Sequence, residues 1–142
     1  MKTINLVIGV VFPAALLLAA CAPAPAADAC ASTDAYVEAL RAGGAEVEVA
    51  EQFSQEFFSV PVQRLVVNGS DVQVYEYADS ATAAEESERI TGAGYIIGNA
   101  ILEWIDTPHW YQCGNLIVLH IGDDQGNLDL FTSLLGEQLA AE

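Results

Sequence analysis

A β-hairpin is predicted by residues 64–77, which read Arg64-Leu65-Val66-Val67-Asn68-Gly69-Ser70-Asp71-Val72-Gln73-Val74-Tyr75-Glu76-Tyr77. Asn-Gly between two runs of alternating apolar residues is the strongest short-range signal for a hairpin turn. Whether the loop holds two or four residues, one face of the hairpin carries only aliphatic side chains. These are Leu65, Val67, Val72 and Val74. We expect this face to be core.

Upstream of the hairpin, the chain predicts a helix and a short strand. The segment 32–34 offers N-cap oxygens, apolar residues recur at helical spacing to Leu40, and Gly43-Gly44 supplies a stop. Residues 46–50 alternate as a strand. Residues 51–61 are less regular and carry the bulky side chains Phe53, Phe57, Phe58 and Val60.

Downstream, the pattern repeats. Asp79 or Ser80 is placed to cap a second helix through Ile90, and residues 99–105 follow a Gly-rich turn as a strand. Residues 109–112 and 116–121 form another predicted hairpin around Cys113-Gly114-Asn115. Asp123 or Asp124 then caps a last helix with apolar residues at helical spacing.

This element order predicts an α+β fold, a mostly antiparallel sheet with helices on one face. A unit of one helix and three strands occurs twice before the last helix, which suggests a pseudo-duplicated architecture. The two halves share no residue-level identity that would establish a duplication.

The composition is strongly acidic and excludes nucleic acid as a partner. The chain has 20 Asp and Glu against four Lys and Arg, a formal net charge of −16 at pH 7. Such a charge repels phosphate backbones and anionic lipid, and keeps a domain soluble.

The N-terminus has the features of a secretory signal. Lys2 precedes an apolar stretch from Ile4 to Leu18, which is too short for a comfortable membrane span. The following Leu18-Ala19-Ala20-Cys21 resembles the lipobox of bacterial lipoproteins. The resemblance covers residues 1–21 and implies cleavage before Cys21, with a diacylglyceryl group on that thiol. The alternative is an ordinary cleaved signal peptide whose cysteine has no role.

The lipobox resemblance sets the expected organisation and location. Residues 1–20 are the signal peptide, 21–29 a Pro/Ala-rich tether and 30–142 a single α+β domain. The membrane partner would be reached through the lipid at Cys21. Ala22 after the cysteine, rather than Asp, favours the outer membrane or cell surface. Cleavage would leave three Arg against 20 acidic residues, a net charge of −17.

With Cys21 lipidated, Cys30 and Cys113 remain as an even pair in an oxidising compartment. We therefore predict a disulfide between them. The alternative is two free thiols, one of them reactive.

The only two histidines, His109 and His120, both fall on the last hairpin. A two-residue turn at Cys113-Gly114 would make them diagonal neighbours on one face, whereas a three-residue turn would separate them. Two histidines without a third ligand favour packing or surface roles, so we expect no metal and no cofactor. An enzyme is the rival hypothesis and would use these histidines with Asp106 or Cys113.

Other motifs predict structure rather than chemistry. Residues 123–129 carry carboxylates like a calcium loop but lack its glycine and its last bidentate carboxylate, so they favour a helix cap. No hydrolase motif of the Gly-x-Ser-x-Gly, Ser-x-x-Lys or His-Glu-x-x-His type occurs.

We therefore expect an extracytoplasmic, membrane-anchored lipoprotein with a non-enzymatic domain that binds an envelope protein or a small ligand. The alternatives are a small enzyme and an acidic, cation-responsive module. An enzyme requires titratable groups that converge in a cleft, whereas a binding module requires an apolar groove or patch.

Overall fold

The computed structural model describes residues 28–139. The predicted signal peptide, Cys21 and the predicted tether up to residue 27 lie outside these residues. The helices are α1 (Thr33–Ala42), α2 (Ser80–Ser87) and α3 (Gln125–Leu135). The strands are β1 (Val47–Phe53), β2 (Val62–Val67), β3 (Ser70–Glu76), β4 (Ile90–Thr91), β5 (Ile96–Ile97), β6 (Ala100–Ile101), β7 (Pro108–Cys113) and β8 (Leu116–Ile121).

The predicted central hairpin is formed by β2 and β3. Val67 pairs with Ser70, so the loop has the two residues Asn68 and Gly69. Both have positive φ, +50° and +82°, as a type I′ turn requires. The four aliphatic residues of the predicted core face are all buried.

The second hairpin, β7–β8, joins the first to make one antiparallel sheet. The strand order is β1-β2-β3-β8-β7, and Val118 of β8 lies opposite Val74 of β3. The α+β prediction with a mostly antiparallel sheet is confirmed. The first half of the chain contributes three strands to this sheet and the second half only two, so the two units are unequal.

The helix starts follow the predicted caps. Ser32, Asp79 and Asp124 each accept a hydrogen bond from the backbone N–H three residues ahead. Helix α2 ends at Ser87 rather than at Ile90, which corrects the prediction. Ile90 instead pairs with Ile97 and is buried, because the helix-like spacing of this segment gives way to strand pairing.

A small three-stranded sheet, β4-β5-β6, replaces the strand predicted over residues 99–105. Only Ala100–Ile101 are extended there, opposite β5. Two-residue strands have no sequence periodicity, and the pairing depends on the glycines around them. Gly92, Gly94 and Gly98 have positive φ and allow the chain to reverse within a few residues.

Two apolar clusters lie on opposite faces of the main sheet. The first packs α1 and α3 against Leu65, Val72 and Val118, as expected for helices over one face. The second packs Ala83 of α2 and Ile97 of the small sheet on the other face. Helices therefore cover both faces, which corrects the one-face expectation. The reason is that aromatic residues, including Tyr75 and Trp110, make the second face apolar as well.

The predicted disulfide between Cys30 and Cys113 is confirmed, with Cα atoms 5.3 Å apart. It joins the start of the described chain to the end of β7. Beside it, Asn115 donates its backbone N–H to the Cys30 carbonyl at 2.9 Å. Within residues 28–139, no helix is long and apolar enough to cross a membrane.

Candidate functional site

The two histidines lie side by side on the α1/α3 face of the sheet. His109 of β7 is directly opposite His120 of β8, and their ring centroids are 6.2 Å apart with planes 23° from parallel. The rings therefore share one face, as the alternative with a two-residue turn requires. The diagonal register expected for that alternative is wrong, because the two-residue turn is Gly114-Asn115 rather than Cys113-Gly114.

His109 is held by hydrogen bonds on both ring nitrogens. Its Nδ1 lies 2.8 Å from Gln138 Oε1, and its Nε2 lies 3.0 Å from Asp123 Oδ1. Thr107 donates its hydroxyl to the other oxygen of Asp123 at 3.0 Å. The contacts from His109 and Thr107 hold the pKa of Asp123 below its usual value. His109 therefore connects β7 to the residues just before and just after α3.

His120 is almost completely buried, with 1% of its surface exposed. Its Nδ1 lies 3.3 Å from the carbonyl oxygen of Asp71, so Nδ1 carries the hydrogen and Nε2 keeps a lone pair. That Nε2 is buried and has no hydrogen-bond partner among the described residues. Burial lowers the pKa of His120, and its ring packs against Phe131 at a centroid distance of 5.2 Å.

The other residues of the enzyme hypothesis do not complete a reactive set. Cys113 is in the disulfide and has no thiolate to offer. Asp106 accepts a hydrogen bond from the Thr107 backbone N–H at 2.8 Å, and His109 pairs with Asp123 instead. No group of three or more His, Cys, Asp or Glu in residues 28–139 is arranged to hold a metal ion.

A groove of about 610 Å³ lies between the loop after β1 and the small sheet. We call it the Arg89 groove. It is lined by Gln55, Glu56, Phe57, Arg89, Ile97, Asn99, Ala100 and Leu102. This volume falls within the ~300–1,000 Å³ range of small-molecule sites, which are mainly apolar with a few placed polar groups. Neither histidine lines it.

The walls of the Arg89 groove are fixed by contacts outside it. The Tyr75 hydroxyl donates to the side chain of Gln55. Phe57 packs edge-on against Phe58, which belongs to the second apolar cluster. The Arg89 guanidinium lies over Gly98, where an added Cβ would be 3.0 Å from Nη2. These contacts make the groove largely preformed.

A second groove of about 530 Å³ lies at the start of α1, and we call it the Glu76 groove. It is lined by Ser32, Thr33, Asp34, Val37, Val49, Gln52, Pro61, Gln63, Val74, Glu76, Tyr77 and Ala78. Glu76 already accepts the Thr33 backbone N–H at 2.8 Å. Its lining is more polar than that of the Arg89 groove and carries two carboxylates without a cation.

All three arginines of the described chain already have partners. Arg64 pairs with Glu51 and Asp71, at 3.1 and 2.6 Å. Arg89 pairs with Glu86, and Arg41 donates to the Val47 carbonyl. Arg89 is the only one of them that lines either groove.

Comparisons with protein-family models, with curated proteins and with solved structures found no match for this chain. The Arg89 groove itself was not predicted from the sequence. It combines residues 55–57, 89, 97, 99, 100 and 102, which come from separate parts of the chain and share no motif. The nearest sequence signals are the bulky residues around Phe57-Phe58 and the Gly-rich segment 92–98, of which Phe57 and Ile97 line the groove.

Proposed function

We propose that this protein is a lipid-anchored, extracytoplasmic binding module. Its ligand is a small molecule with a mainly apolar body and an oxygen-bearing head, bound in the Arg89 groove. The observation that carries the proposal is the groove itself, about 610 Å³ in volume, in which the apolar Phe57, Ile97, Ala100 and Leu102 lie beside the polar Gln55, Glu56, Arg89 and Asn99. An envelope protein is the alternative partner class.

The membrane attachment rests on the lipobox-like Leu18-Ala19-Ala20-Cys21. A diacylglyceryl group supplies two acyl chains, and stable anchoring takes two such signals. The Cys30–Cys113 disulfide is compatible with a compartment outside the cytoplasm. Because Cys30 lies nine residues after Cys21, the folded domain would stay close to the membrane surface.

The arrangement of titratable groups favours binding over catalysis. A general base must reach the proton that it removes, through a contact of about 2.6–3.2 Å. His120 Nε2 is buried, and both nitrogens of His109 are occupied by neighbours within the fold. The described residues thus place no free imidazole in either groove.

The lining indicates the class of ligand. Phe57, Ile97 and Leu102 would bury an alkyl or aromatic body, and each CH₂ removed from water contributes about 0.8 kcal/mol. The Arg89 guanidinium pairs with Glu86 through one of its nitrogens and has five N–H donors in total. A carboxylate or other oxygen head would accept the remaining donors.

The proposal is tested with decanoate as the probe. The chain from residue 21, with Cys21→Ser, keeps every described residue and is titrated by two-dimensional NMR and calorimetry. We expect shifts confined to residues 55–57, 89 and 97–102. Ala100→Phe fills the groove with a ring and should abolish the binding.

Val49→Phe is the matched control, because Val49 is exposed and lines the Glu76 groove instead. It should bind decanoate like the wild type. Binding that survives Ala100→Phe, or that is lost equally in Val49→Phe, would show that the Arg89 groove is not the site. The absence of any binding would remove carboxylates as the ligand class.

A further inference from the structure

The small sheet has two faces of different character. Ile90, Ile97 and Ala100 form one cross-strand row, in which Ile90 and Ile97 are buried in the second apolar cluster. Thr91, Ile96 and Ile101 form the adjacent row. Because successive residues of a strand point to opposite faces, this second row faces away from the core.

The outward row carries an exposed isoleucine, Ile101, and a second one, Ile105, follows four residues later in the chain. Ile101 is 80% exposed and Ile105 is 99% exposed. The Trp104 indole donates to the Gly94 carbonyl at 3.0 Å, which fixes the chain just before Ile105 to the turn that precedes β5. We call Ile96, Ile101 and Ile105 the outer isoleucine surface. Large apolar side chains grouped on a surface mark interaction sites.

The charge around this surface indicates its partner. Glu103 lies between Ile101 and Ile105 and is exposed, and Asp106 follows directly. Within residues 28–139 neither carboxylate forms an ion pair with an arginine, since Arg64 pairs with Glu51 and Asp71, and Arg89 with Glu86. A second copy of this chain, with the same net charge of −16, would be repelled. A partner with basic and apolar residues in alternation would match both features.

We propose that the outer isoleucine surface docks a basic, apolar-containing segment of another protein. The strand β6 lies at the edge of the small sheet, so an extended segment can lie alongside it. Its apolar side chains would cover Ile101 and Ile105, and its lysines or arginines would face Glu103 and Asp106. This surface is separate from the Arg89 groove, since Ala100 and Leu102 line the groove and Ile101 does not.

The test uses a fluorescent hexapeptide of alternating lysine and leucine, with a glutamate–leucine hexapeptide as its matched partner. Binding to the chain from residue 21, with Cys21→Ser, is measured by anisotropy in 20 and 150 mM salt. We expect the lysine peptide to bind, more weakly at higher salt because charges are screened. The glutamate peptide should not bind.

The double variant Ile101→Ser/Ile105→Ser keeps every charge and removes only the apolar contacts. It should bind the lysine peptide at least tenfold more weakly, whereas Val49→Ser, at another exposed apolar position, should bind like the wild type. Equal binding by the double variant would overturn the proposal, as would equal affinity for the glutamate peptide or no binding at all. A dimer in sedimentation that the double variant abolishes would also overturn it, by assigning the surface to self-association.

Discussion

Removal of the Cys30–Cys113 disulfide is the perturbation whose effect is most directly calculable. The two cysteines are 83 residues apart, so the cross-link closes most of the described chain into one loop. In the chain-entropy description, a loop of this length stabilises the fold by about 4.5 kcal/mol at 25 °C, and measured losses for native disulfides are about 2–5 kcal/mol. We expect Cys30→Ala/Cys113→Ala to lose stability within that range.

The loss is measured by urea denaturation and by thermal melting. At roughly 4 °C per kcal/mol for a domain of this size, the Tm should fall by about 8–20 °C. Reduction with dithiothreitol provides the control. It should lower the Tm of the wild type and leave that of the double variant unchanged, since the variant has no disulfide to reduce.

Two results would show that the disulfide does not stabilise the fold in this way. A double variant within about 0.5 kcal/mol of the wild type would mean that the hydrogen bonds between residue 115 and residues 30–31 already hold this junction in the absence of the cross-link. A wild type whose Cys30 and Cys113 react with an alkylating agent under native, non-reducing conditions would mean that the cross-link is not formed.

Three further predictions concern charge, the buried histidine and a buried amide. Raising NaCl to ~1 M shortens the Debye length to about 3 Å, so the melting temperature should rise as repulsion among the carboxylates is screened; a flat or falling dependence in calorimetry would contradict this. Burial lowers the pKa of His120 in the folded protein. As the pH falls below about 6.5, the imidazole therefore binds a proton in the unfolded chain but not in the folded one. The free energy of unfolding should then decrease by up to ~1.4 kcal/mol per pH unit, until the pH reaches the pKa of His120 in the folded protein. His120→Phe should lose this component in urea denaturation at pH 5.5 and 7.5, and an identical pH dependence in wild type and variant would exclude it. The side chain of Asn127 is buried, and its Oδ1 accepts a hydrogen bond from Asn68 Nδ2 at 2.9 Å. Asn127→Ala removes this acceptor and should lower the free energy of unfolding by roughly 1–3 kcal/mol. A decrease below about 0.5 kcal/mol would show that this hydrogen bond contributes little to stability.

The parts of the fold that the sequence predicted are those with strong local signals. Asn68-Gly69 demands positive φ at both positions, and Asp79 and Asp124 stand directly before helical segments. The disulfide followed from the number of cysteines and the inferred compartment. In each case, a few neighbouring residues or a simple count carry the information.

The parts that were missed depend on tertiary pairing. The strands β4, β5 and β6 have two residues each, too few for alternation to distinguish them from loops. Moving the second turn by one residue changed the histidine register from diagonal to directly opposite. The second apolar face of the sheet was not predicted, because the strands that carry Tyr75 and Trp110 also contain polar residues. The Arg89 groove lies between the loop after β1 and the small sheet, so it depends on tertiary packing that no local sequence pattern predicts.

Attachment through a lipid at Cys21 is tested by the mass of the mature N-terminal peptide. The peptide is isolated from membrane and soluble fractions of cells that express the wild type or Cys21→Ser. We expect a wild-type peptide that begins at Cys21, carries a diacylglyceryl group and is found with the membranes. The variant should be unprocessed or released. A wild-type protein with an unmodified Cys21, or a Cys21→Ser variant that is processed and fractionates like the wild type, would show that Cys21 is not the membrane anchor.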